Sequence, residues 1–141
     1  MDRYAPIALT ASKTLVRETH ANTLVTLSAL AGLTITLPAA TGTGDTYWMV
    51  VITSVTSNDY VIQVANATDK FYGGVSISTD IAGVTELAVS GDDTITMNGS
   101  TKGGLIGSWV KVTDAGTGIW VLDGFLCSSG SETTVFSADV S

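Results

Sequence analysis

Few residues in this 141-residue chain have the chemistry to act on a substrate or hold a metal. Asp92 and Asp93 are adjacent acids that offer oxygen ligands to a hard cation such as Ca²⁺, with Asp80 or Glu86 as a third donor. No D-x-D-x-D-G spacing surrounds them, so the pair reads as a solvated turn. The single histidine, His20, has no Cys or second His to complete a metal site and is expected to be a surface or capping residue. The single cysteine, Cys127, excludes an intrachain disulfide. It is expected to be a small buried hydrophobe, since its only potential activating base, His20, lies far away in the sequence. Gly42-Thr43-Gly44 and Gly103-Gly104 are too short to cradle a phosphate, and no P-loop Lys-Ser/Thr follows, so they read as turns. Asn66-Ala67-Thr68 and Asn98-Gly99-Ser100 match the glycosylation triplet, and without an export signal they read as chance matches. The expectation is a protein with no catalytic residues, no cofactor and no metal.

The three tryptophans offer a different chemistry. Exposed indoles stack on the flat faces of sugars, with Asp or Asn nearby to bond hydroxyls. Trp48 sits in an uninterrupted apolar run, 47–52, which points to the core. Trp109 and Trp120 stand at equivalent places in two late β-rich segments and are expected to pack as a cross-strand pair. Packing is the favoured reading of all three.

Composition says what must position these residues. Charged residues are 13% of the chain, about half the usual ~25%. Hydroxyls replace them: there are 22 threonines, with 15 valines and 15 glycines. Thr and Val are stiff at χ1 and suit a pleated surface, which favours strands. Thirteen acids against six scattered bases give a net charge of −7. That excludes a basic patch for nucleic acid or an anionic membrane. The start of the chain has no apolar core of a signal peptide, and the run 47–52 is too short to span a bilayer. Synthesis in a cytoplasm without export is expected.

Along the chain, residues 1–20 read as an N-terminal arm. Pro6 interrupts any early ladder, and the apolar groups Tyr4, Pro6, Ile7 and Leu9 are expected to contact a partner or a neighbouring subunit rather than their own body, with a disordered tail as the alternative. Residues 21–141 read as one β domain with a short Ser/Gly-rich tail. Leu24, Leu27 and Leu30 recur at a helical step, but the surrounding threonines favour a strand at 23–27. Leu33, Ile35 and Leu37 alternate with Thr34 and Thr36 up to Pro38, the period of a half-buried strand. The run 47–52, apolar on both faces, is expected to be central. The turn Ser57-Asn58-Asp59 should fold it against 60–64 as a hairpin. Short β-like pieces follow at 75–77, 86–89 and 94–97. A last hairpin, 108–113 with 118–125, closes around 114–117. The sum is an all-β, single compact sandwich or jelly-roll-like domain of about eight to ten short antiparallel strands.

The order of several segments resembles the decoration (cement) proteins on the heads of tailed bacteriophages. They are Leu33-Thr34-Ile35-Thr36-Leu37-Pro38, then Ser57-Asn58-Asp59-Tyr60-Val61-Ile62, then Asp93-Thr94-Ile95-Thr96-Met97-Asn98-Gly99. Gly107-Ser108-Trp109-Val110 and Gly118-Ile119-Trp120-Val121-Leu122-Asp123-Gly124 complete the series. The likeness runs from about residue 23 to 126, and departs at Val121-Leu122-Asp123, where a shorter polar step would be usual. It implies a structural virion protein on the outer capsid surface, a homotrimer that clamps neighbouring subunits of the major capsid protein. The alternative is a carbohydrate- or receptor-binding β module of a phage fibre or surface adhesin.

Overall fold

The computed structural model describes residues 5–141. Among these residues twelve strands make two sheets packed face to face, accompanied by one four-residue helix. Seven strands form the larger sheet, in spatial order β1 (Ile7–Leu9), β3 (Leu24–Leu27), β5 (Thr46–Val51), β10 (Trp109–Gly116), β11 (Ile119–Cys127), β7 (Lys70–Ser78) and β8 (Gly83–Leu87). The smaller sheet runs β12 (Phe136–Ser137), β9 (Thr94–Met97), β6 (Tyr60–Gln63), β4 (Leu33–Thr36) and β2 (Lys13–Thr14). Helix α1 spans Arg17–His20 between β2 and β3.

The all-β sandwich holds, but its winding differs from the expected antiparallel one. The first seven strands alternate between the two sheets, so β1, β3 and β5 lie side by side in one and β2, β4 and β6 in the other. Strands reached by such a crossing run the same way, and β1–β3, β3–β5, β2–β4 and β4–β6 are parallel pairs. The expected hairpin between 47–52 and 60–64 does not form, since β5 and β6 belong to different sheets. Asn58 and Asp59, both at φ near +55°, turn the chain across the sandwich instead of back along it.

Alternation explains the core. On β11 the even positions Trp120, Leu122 and Leu126 are buried while the odd positions face out. Fully buried Leu27, Ile35, Met49, Ile62, Phe71, Ile77 and Ile95 fill the layer between the sheets. Each such side chain contributes roughly 1.5–3 kcal/mol by leaving water. The late hairpin is longer than expected: β10 continues through Asp114 to Gly116, with a bulge there, and the turn shortens to Thr117 and Gly118.

The arm is the main correction. Ile7–Leu9 pairs with β3 at one edge of the larger sheet, and Lys13–Thr14 pairs with β4 at an edge of the smaller one. Leu9 and Leu15 lie in the core at 7% and 1% exposure, and Ile7 packs against it. Residues 7–15 thus bind their own body, because two apolar side chains and two short ladders are available there. Pro6 is exposed, and Tyr4 lies outside the described residues.

Candidate interaction surface

One face of the larger sheet packs on the smaller sheet, and the other carries an apolar surface. Register places Trp48 of β5 opposite Lys111 of β10, and Val50 opposite Trp109. Trp109 in turn faces Phe125 across the late hairpin, Thr113 faces Val121, and Val121 faces Tyr72 of β7. Trp48, Phe125, Val121 and Tyr72 are 40–49% exposed. The only charges on the outward positions of β5, β10 and β11 are Lys111 and Asp123, directly opposite each other. No ion pair joins them. The Lys111 ammonium lies over the Trp48 ring instead, 5.3 Å from its centroid, a contact worth about 0.5–1 kcal/mol at an exposed site. Isolated exposed apolar residues need no explanation, but contiguous ones mark interaction surfaces.

The three tryptophans divide differently from the expectation. Trp48 is on the outer face and not in the core. Trp120 and Trp109 do not face each other, because Trp120 pairs with Asp114 and Trp109 with Phe125, on opposite faces of the hairpin. Trp120 is buried and meets Tyr47 edge to face at 5.7 Å. A depression of about 310 Å³ beside Trp48 is lined by Asn22, Thr23, Leu24, Thr46 and Lys111. The signal for this surface was present in the run 47–52. Its two apolar faces imply cover on both sides, and among the described residues only one is covered.

The acids that could have formed a metal site are committed to the scaffold. Asp92 and Asp93 are buried and not solvated. Asp92 accepts the Val89 N–H at 2.8 Å and closes its turn. Asp93 accepts Lys70 Nζ at 2.8 Å, the Thr94 hydroxyl, and the N–H groups of Asp139 and Val140, which ties the C-terminal tail to β9. Burial alone would raise its carboxyl, but these donors outweigh it and hold the group below the usual carboxylate range. Glu86 takes the Thr134 hydroxyl and the Val135 N–H, and Asp80 is exposed. Among the described residues no three His, Cys, Asp or Glu side chains gather as a metal shell.

The glycine-rich loop 42–44 has an anion of its own. Asp114 accepts the N–H groups of Thr41 (3.0 Å) and Gly42 (2.7 Å) and the Thr43 hydroxyl (3.0 Å). Burial opposes ionisation here too, and the donors of 41–43 prevail and lower its carboxyl. The Tyr47 phenol, buried and beside Asp45, is pushed up to about 12. His20 is buried inside α1 and its Nδ1 accepts the Val16 N–H at 2.9 Å. Cys127 is half-buried at the end of β11, donating its N–H to Ser108 Oγ. Asn66 and Asn98 each use Oδ1 to close a turn, on Thr68 and Asp69 and on Ser100 and Lys102.

No family model, curated protein or solved structure matches the chain.

Proposed function

We propose that this protein is a structural virion component that binds the outer surface of a phage capsid and stabilises the shell by clamping neighbouring capsid subunits. The observation that carries the reading is the uncovered apolar face around Trp48, Trp109, Val121 and Phe125. A surface with large aromatics and little charge is what the centre of a protein interface requires. The ordered series of segments resembling decoration proteins supplies the class of partner, the major capsid protein. The net charge of −7 suits the outside of a DNA-filled shell, where no phosphate backbone is met. Buried acids spent on holding loops and the tail suit a staple that performs no chemistry. Repeated weak contacts across a lattice give avidity without a single tight site. Heating capsids with and without the protein tests this: saturating protein should raise the temperature at which the shells release DNA. Unchanged release at saturating protein would contradict the proposal.

A second reading is favoured by the depression beside Trp48. An exposed indole with Asn22, Thr46 and Lys111 around it fits one sugar ring of a surface polysaccharide. Under that reading, cell-surface polysaccharide quenches tryptophan fluorescence, and the Trp48→Ala variant loses the response.

A further inference from the structure

The two sheets end in four edges, and three of them are short or blunted. β2 and β12 have two residues each, and β2 carries Lys13. β1 has three, and Pro6 directly precedes it. The Ser28 N–H bonds to Leu9 O, so Ile7 and Leu9 point their backbone groups at β3, leaving Pro6, Ala8 and Thr10 outward. Proline there removes a donor from the edge.

β8 is different. It has five residues, no Pro and no Lys, and its one charge, Glu86, is turned onto Thr134 and Val135 of the C-terminal tail. The Ala88 N–H bonds to Gly73 O at 2.9 Å and the Thr79 N–H to Ala82 O at 2.7 Å. By antiparallel alternation, positions 82, 84, 86 and 88 face β7, and Gly83, Thr85 and Leu87 direct their N–H and C=O groups away from the sheet. Around this open ladder lie Ile81 (93% exposed), Leu87 (67%) and Val89 (66%), the three most exposed large apolar side chains among the described residues. An unguarded apolar edge is a template for another strand.

We propose that the occupant is β8 of a second copy, paired antiparallel about a two-fold axis at Thr85. In that register Thr85 exchanges two bonds with Thr85 of the second copy, and Gly83 and Leu87 exchange bonds reciprocally. The register is self-complementary in three ways. Leu87 lies across from a glycine, which leaves room for it. Thr faces Thr, a favourable cross-strand pair. Glu86 faces Val84 of the second copy, so no like charges oppose. A ring of three joined through sheet edges needs two different open edges in head-to-tail contact. β1, the other edge of this sheet, is blunted, so edge pairing gives two copies where the resemblance implies three. The inference needs only the free chain and stands apart from the capsid reading.

Sedimentation velocity on the full chain at micromolar concentration tests it. Wild-type protein should run as a dimer. Thr85→Lys and Thr85→Glu should each weaken the dimer by roughly tenfold or more, because like charges then oppose across the axis. Mixing the two variants should restore it. Thr85→Pro, whose lost N–H faces away from β7, should give a folded monomer by circular dichroism. A wild-type monomer or trimer overturns the proposal. So does a dimer that neither charge variant weakens, or one that the mixture fails to restore.

Discussion

Trp48 and Trp109 meet edge to face on the outward side of the larger sheet, ring centroids 6.4 Å apart and planes at 83°. The pair joins neighbouring strands β5 and β10 and anchors the apolar surface on the side of the sheet that faces away from the smaller one. Interfaces draw much of their energy from a few aromatic anchors of this kind.

Truncating these rings should therefore separate stability from attachment. Trp48→Ala and Trp109→Ala should each change unfolding free energy by about 1 kcal/mol or less, the usual range for residues outside the core. Trp120→Ala, which empties a buried site against Tyr47, should cost about 3–5 kcal/mol. Urea unfolding followed by circular dichroism compares the three. Equal losses at Trp48 and Trp120 would mean the outer face is part of the core.

The start of the chain should matter to the fold itself. Deleting residues 1–12 removes β1 and the buried Leu9, so the melting temperature should drop well below that of the full chain. Leu15→Ala should cost about 2–5 kcal/mol, as for a core leucine. A truncated protein that melts with the full chain would restore the picture of a detached arm.

Acid should act through Asp93 and Asp114. Both carboxyls are lowered in the folded state, relative to about 3.9 when unfolded. Folding then favours the ionised form. The stabilisation is present above pH ~4 and is lost as the pH falls through the folded values. Asp114→Asn should cost about 1–3 kcal/mol at neutral pH, since an amide replaces the ionised acceptor for the 41–43 donors. The variant should also lose less stability on acidification than wild type. A parallel decline of both proteins from pH 6 downward would contradict the role given to Asp114.

Local period made much of this fold legible, and chain routing made the rest illegible. The alternation Leu33-Thr34-Ile35-Thr36 and the strand 94–97 emerge as read, because one buried face imposes a two-residue period. The parallel pairings did not show, since they arise from successive strands crossing between sheets, which no local pattern records. Equivalent position in the two segments suggests pairing Trp120 with Trp109, yet the two-residue turn and the bulge at Asp114 set a register that puts them on opposite faces. Asp92 and Asp93 resemble a solvated turn in sequence. Only the distant Lys70, Asp139 and Val140 reveal that Asp93 is a buried tie.

The most direct test of the proposed capsid attachment is quantitative co-sedimentation of the full chain with tailed-phage heads assembled without their decoration protein. Wild-type protein should bind saturably, at a stoichiometry fixed by lattice positions. The doubly substituted Trp48→Ala, Trp109→Ala protein, still folded, should stay in the supernatant. Wild-type protein left in the supernatant, or a double variant that pellets as tightly as wild type, would contradict attachment through this face.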